Sequence, residues 1–129
     1  MILLDTHAFV WLVAAKERLS ETAVEAIEGD PDLAVCVASI QEVAYLVARG
    51  RISPDRPIET WVRDALNVHE VGALAPTVSS ALRAGSLDPT AFHGDPFDRL
   101  IYATAVEHDA RLLSVDERLR QFDPARVVW

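Results

Sequence analysis

The run Leu33-Ala34-Val35-Cys36-Val37 is apolar at every position, without the alternation of a strand that shows one face to water. A strand of this kind is buried on both faces, as in a parallel sheet covered by helices. Ile2-Leu3-Leu4 is a second such run and ends at Asp5, while Arg111 to Val115 and Arg126 to Trp129 read as the last strands and Val68 to Val71 as a short one. Helical segments lie between them. Ala8 to Val13 is apolar all round, Ser20 to Ile27 is followed by the turn Asp30-Pro31-Asp32, and Ile40, Val43, Ala44 and Val47 mark one face of a helix that Gly50 ends. Pro57 opens a helix through Leu66, Ala75 to Ala84 is stopped by Gly85, and Phe97, Leu100, Ile101, Thr104, Ala105 and His108 keep helical spacing over the longest segment. Strands alternating with helices predict an α/β fold, a central parallel sheet with helices on both faces in three layers, joined by right-handed crossovers.

At 129 residues, half of them hydrophobic, the chain has material for one domain, 1–129, with a real core. No apolar run approaches the roughly 20 residues that span a bilayer, and no basic segment precedes Met1-Ile2-Leu3-Leu4, so the expected setting is cytoplasmic, with no membrane. The single cysteine, Cys36, has no partner for a disulfide or a Cys-x-x-Cys pair and is expected to be a buried, inert thiol. Twenty acidic residues against 12 basic ones give a formal charge of -8, which argues against broad electrostatic capture of nucleic acid.

The acids are placed where such folds gather their working groups, at the ends of strands and the starts of helices. Asp5 closes the first strand, Glu42 follows the second, Asp95 and Asp98 open the longest helix, and Asp116 follows Leu112-Leu113-Ser114-Val115. Each of the last four also has a local explanation. Ser39-Ile40-Gln41-Glu42 reads as a capping box, Asp95 as an N-cap with Pro96 behind it, Asp98 as a first-turn acid, and Asp116 as the cap of a short helix from Glu117 to Gln121. Asp5 is different, because a carboxylate buried behind three apolar residues needs a cation, and no Lys or Arg lies within ten residues of it. Converging carboxylates raise one another's pKa unless a divalent ion sits among them, and hard oxygen donors suit Mg²⁺ or Mn²⁺. The four histidines, His7, His69, His93 and His108, show no zinc spacing and no grouping with cysteine. A Gly-rich phosphate loop and a Gly-x-Ser-x-Gly elbow are both lacking, which sets aside nucleotide kinases and serine hydrolases. A dehalogenase-like phosphatase needs a second Asp two residues after the first, where this chain has His7.

Four elements in this order, Met1-Ile2-Leu3-Leu4-Asp5-Thr6-His7, Ala38-Ser39-Ile40-Gln41-Glu42-Val43, Asp95-Pro96-Phe97-Asp98-Arg99-Leu100-Ile101 and Leu113-Ser114-Val115-Asp116, together resemble the PIN domains, and among them the small VapC-type toxins of prokaryotic toxin–antitoxin pairs. The resemblance covers the whole chain. It implies a PIN-like three-layer fold and a magnesium-dependent ribonuclease, Mn²⁺ serving as well, with Asp5, Glu42, Asp98 and Asp116 as the acidic quartet that holds metal and products that carry a 5′-phosphate and a 3′-hydroxyl. Asp95 is then an auxiliary acid, Thr6 and Ser114 fall where such domains carry small hydroxylated residues, and His7 stands where Asn is common. Arg99 is the basic residue at hand to attract RNA, or else the partner of a neighbouring acid. The quartet accounts for half of the -8, so bound cations relieve much of the repulsion toward RNA. Implied partners are RNA, a cognate antitoxin that carries basic residues to the site, and a second copy of the chain. The competing reading is a non-catalytic PIN-like interaction module, in which the acids only cap helices.

Overall fold

A computed structural model describes residues 1–129. Strand β1 (Ile2–Leu4) leads into helix α1 (Thr6–Ala14), and a 3₁₀ turn at Lys16–Arg18 precedes α2 (Glu21–Gly29). Strand β2 (Leu33–Cys36) is followed by α3 (Val37–Ala48) and α4 (Ile58–Val68), then β3 (Val71–Leu74) and α5 (Val78–Ser86). The chain continues through α6 (Pro96–Glu107), β4 (Arg111–Leu113), α7 (Glu117–Phe122) and β5 (Val127–Val128). All strand pairs are parallel, in the order β3-β2-β1-β4-β5. The expected parallel α/β/α sandwich is therefore the fold observed.

Alternate residues of the central strands face different cores. Ile2 and Leu4 pack with Val35, Phe9, Leu12, Ala23, Val43 and Trp61, which puts α1, α2, α3 and α4 over one face. Leu3 packs with Ala34, Cys36, Ile101, Tyr102, Leu112 and Leu119, so α6 and α7 cover the other. Ile2, Leu3 and Leu4 are each fully buried, which explains why their sequence shows no period. At roughly 1.5–3 kcal/mol per fully buried aliphatic side chain, this strand is a main source of the fold's stability. Cys36 is buried and free, with its Sγ 3.6 Å from Thr104 Oγ1, in agreement with the structural role expected of it.

Three expected elements are shifted. Val68 is not in a strand but ends α4, three-quarters exposed, and the strand begins at Val71. Glu70, at φ 52°, turns the chain out of the helix in the left-handed conformation, and only beyond it can the backbone extend. Helix α5 starts at Val78 rather than Ala75, because Thr77 and Ser80 form a reciprocal capping box after Pro76, and it runs through Gly85 to Ser86. The third shift concerns α3. Strand β2 runs into it without a loop, so the helix starts at Val37, with Cys36 as an N-cap that offers no side-chain hydrogen bond.

Arg99, expected to attract RNA or pair with an acid, forms no ion pair, and its guanidinium is taken up by backbone carbonyls. From the first turns of α6 its Nε donates to His93 O (2.9 Å), Nη1 to Ala84 O (3.0 Å) and Leu87 O (3.1 Å), and Nη2 to Phe92 O (3.3 Å). These bonds hold the α5–α6 connection against the domain, with Phe92 buried against Tyr102 and Phe122. Arg99→Ala should leave several carbonyls without donors and lower stability by about 3 kcal/mol, with Arg99→Lys recovering little because it lacks the planar fork. Urea unfolding of the three proteins measures this.

Candidate active site

The strand order reverses direction at β1, whose neighbours are β2 on one side and β4 on the other. In an open parallel sheet the crevice beyond the carboxyl ends of the strands at such a switch point is where ligands bind. Asp5 leaves β1 there, with its backbone N–H bonded to Leu113 O at the end of β4 (3.0 Å). Its carboxylate caps α1 by accepting the Ala8 N–H at 2.7 Å, and the residue is only 5% exposed. Burial pushes the Asp5 pKa up, against the Ala8 N–H, the Ser114 hydroxyl and His7, and the charge of Glu42 pushes it further in the same direction.

Asp98 is the acid most perturbed by its neighbours. Desolvation, then the charges of Asp95, Glu42, Asp5 and Asp116, raise it to about 7. Residues from the β1–α1 junction, α3, α6 and the start of α7 thus share one electrostatic site. None of Asp5, Glu42 and Asp98 has a Lys or Arg within ion-pair distance; His93 Nε2 lies 3.4 Å from Asp98 Oδ2. Asp116 is in a different situation. Burial raises its pKa, but the Arg118 guanidinium (3.2 Å) and backbone N–H (2.8 Å), helped by His93, hold it below the ordinary carboxylate range.

The capping explanations divide. Asp95 accepts the N–H groups of Phe97 and Asp98 (2.9 and 3.3 Å), and Asp116 caps α7, as the sequence suggested. The capping box at Ser39 and Glu42 does not exist: with α3 beginning at Val37, Ser39 lies inside its first turn and Glu42 a turn further along. Ser39 is fully buried and its hydroxyl has no partner, while Glu42 is half-buried and caps nothing. The local reason for Glu42 is therefore gone. Ser114 accepts the Asp116 N–H (3.1 Å), so its hydroxyl ties the two ends of the site together. Thr6 is buried with an unpartnered hydroxyl.

His93, set aside in the sequence for want of a ligand spacing, belongs to the site. Its Nε2 lies 3.4 Å from both Asp98 Oδ2 and Asp116 Oδ2, and one donor atom from each of the three residues falls within 4.8 Å of the others. The ring stacks on Phe92 at 5.1 Å and its carbonyl is held by Arg99, so the segment that Arg99 anchors is what delivers it. Its place two residues before the Asp95 cap was the one available signal.

Fold and acids together define the class: a parallel α/β/α domain with a carboxylate-rich crevice at its topological switch point. The pattern of the PIN domain family matches residues 2–124, and the chain belongs to that family. It is 44% identical over 131 residues to ribonuclease VapC22 of Mycobacterium tuberculosis (strain ATCC 25618 / H37Rv), an alignment that covers 99% of this chain and 98% of the relative. Among solved structures, VapBC2 from Rickettsia felis bound to a DNA fragment from its promoter gives a TM-score of 0.70 at 14% identity, over 99% of this chain and 98% of that one. A toxin–antitoxin complex from Klebsiella pneumoniae gives 0.69 at 21% identity, over 100% and 97%. FitAcB from Neisseria gonorrhoeae gives 0.63 at 17%, over 100% and 97%. At those identities the three structures bear on the fold.

Proposed function

We propose that the chain is an endoribonuclease that hydrolyses RNA phosphodiester bonds with a divalent cation, Mg²⁺ or Mn²⁺, and that it is the toxin of a toxin–antitoxin pair. The observation that carries this reading is the crowding of Asp5, Glu42 and Asp98, drawn from three separate elements, with no arginine or lysine to neutralise them. Uncompensated carboxylates in a crevice destabilise an apo fold unless they serve a ligand. The donor set fits a hard cation, since oxygen dominates and one imidazole is present. Asp5, Glu42, Asp98 and Asp116 would hold it, with His93 beside the last two. When bound, such a cation lowers the pKa of a water and stabilises the leaving oxygen of an in-line displacement.

The chain's own residues supply the geometry. Asp5 is fixed by the Ala8 N–H and by burial, so its carboxylate does not reorient when substrate arrives. The Arg118–Asp116 pair orients the acid at the other rim. Asp98, with a pKa near 7, holds a proton part of the time near neutrality and gives it up when positive charge is near. Asp95 fixes the first turn of α6 and with it the position of Asp98.

Support for RNA as substrate comes from the family and from the relative named a ribonuclease. Two of the structural neighbours are described as toxin–antitoxin or VapBC assemblies, in keeping with an antitoxin partner for this chain, and a homodimer is proposed with it. No helix is long and apolar enough to cross a membrane, which agrees with a cytoplasmic site of action. The test is cleavage of RNA by purified protein with Mg²⁺ or Mn²⁺, in excess EDTA, and with Glu42→Gln. We expect activity that EDTA abolishes and that the variant reduces at least tenfold (about 1.4 kcal/mol) with the melting temperature within a few degrees of wild type. Undiminished cleavage in EDTA rejects the metal mechanism. No cleavage by the wild type under any metal, with no growth arrest on expression, leaves the non-catalytic interaction module.

A further inference from the structure

Beside the acidic crevice lies a second depression of about 520 Å³, lined by Thr6, His7, Trp11, Arg18, Arg51 and Val115 among others. Two of these residues join it to the site directly, because Thr6 follows Asp5 and Val115 precedes Asp116. Its charge is opposite to that of the protein. Arg18 and Arg51 are exposed and form no ion pair, although the chain carries a net -8. Arg49, Arg83 and Arg111 are unpaired as well, but Arg18 and Arg51 are the two arginines that line this depression. Its surface is aromatic as well as basic. The Arg18 guanidinium carbon sits 4.5 Å above the Trp11 ring, and His7 meets the same ring at 5.7 Å. Stacking on Trp11 orders a side chain that would otherwise be free in solvent. The Thr6 hydroxyl adds a buried polar group with no partner in the protein, on a residue only 3% exposed.

Two unpaired arginines beside the half-exposed Trp11 and the exposed His7 suit a single-stranded nucleic acid, whose phosphates meet the guanidinium groups while a base stacks on the aromatic surface. A basic polypeptide brought to the acids would be repelled by the same two arginines. We propose that this depression is the subsite for the nucleotide next to the scissile phosphate, with Arg18 and Arg51 on flanking phosphates and the Trp11–His7 surface under the base. The proposal rests on the ribonuclease reading above and extends it from the acids to the strand that they cut. It also accounts for how an acidic protein engages RNA: the positive charge is local and adjoins the reacting bond, and Arg99, committed to carbonyls, plays no part.

The experiment compares wild type with the double variant Arg18→Gln/Arg51→Gln and with Trp11→Leu, on a fluorescent single-stranded RNA oligonucleotide. Steady-state cleavage with Mg²⁺ should show KM raised at least tenfold in the double variant, with kcat changed less than threefold. The dependence of log KM on log salt should flatten by about 1.4, at roughly 0.7 for each single-strand phosphate that is no longer neutralised. Trp11→Leu should raise KM without changing the salt slope. Melting temperatures and neutralisation by the co-expressed antitoxin should stay as in wild type. If KM and salt slope are unchanged while wild type cleaves, the subsite is refuted; if neutralisation is lost instead, the depression belongs to the protein partner, which refutes it equally. Anisotropy of the labelled RNA in EDTA separates this from failure of the nuclease reading. A protein that never cleaves but binds RNA at least tenfold more weakly in the double variant keeps the subsite, and equal binding rejects it.

Discussion

Asp5→Asn should reduce RNA cleavage at least a thousandfold, about 4 kcal/mol of transition-state stabilisation, and leave the protein folded. The two outcomes follow from two different uses of one carboxylate. As a cap, Asp5 needs only an oxygen that accepts the Ala8 N–H at 2.7 Å, and asparagine offers one about as well as aspartate. As a buried anion 5% exposed, with a pKa raised by desolvation, it opposes folding in the absence of a cation, and the neutral amide removes that penalty. The melting temperature of the metal-free variant should therefore equal or exceed that of wild type. The amide has no charge with which to hold a hard divalent ion, so activity has no such substitute. Single-turnover cleavage and thermal melting on the same preparation check both halves. A variant that cleaves within tenfold of wild type would remove Asp5 from the site.

Asp98→Asn should show a pH-dependent stabilisation of the metal-free protein. In the folded state Asp98 titrates near 7, against 3.8 for an ordinary aspartate, so the folded protein binds this proton more tightly than the unfolded chain does. Its favourable contribution is fully present below about pH 4 and is lost as the pH rises through about 7. Above that, wild type carries a desolvated charge among like charges. The side chain is 26% exposed, which screens part of the effect, so we expect the variant to exceed wild type by about 2 kcal/mol at pH 8.5, or several degrees in melting temperature, and by no more than about 0.5 kcal/mol at pH 4.5. Millimolar Mg²⁺ should reverse the order by stabilising wild type more than the variant. Parallel pH dependences for the two proteins would show that Asp98 is not crowded by its neighbours.

Asp5 and Asp98 are both marked by sequence position alone, and Glu42 shows where such marking ends. Its position after a buried strand singles it out, but Ser-x-x-Glu equally fits a helix cap, and the pattern carries no information on where the helix begins. The absence of a loop between Cys36 and Val37 decides it, because a strand that turns straight into a helix moves the N-cap three residues upstream, from Ser39 to Cys36. The same kind of ambiguity misplaced the strand at Val68, where helix and strand compete over a short apolar run.

What the amino-acid sequence determined by itself was what depends on neighbours within a turn or a strand. Unbroken apolar runs required strands covered on both sides, helical spacing marked most of the helices, Asp95 and Asp116 were fixed at helix starts by capping chemistry, and Asp5 was placed at a strand end, its cap on α1 emerging only in the structure. What only the tertiary structure decided was which of those ends meet. Strand order brings β1 between β2 and β4, and so puts Asp5 beside Ser114, more than a hundred positions away in the chain. Arg99 found backbone carbonyls on a connection six to fifteen residues upstream rather than an acid or a ligand, and in binding them it set His93 between Asp98 and Asp116. Arg18 and Arg51, 33 positions apart, became meaningful only because the fold sets both in one depression next to Thr6 and Val115. Contacts of this kind depend on the path of the whole chain through three layers, and local propensity does not encode that path.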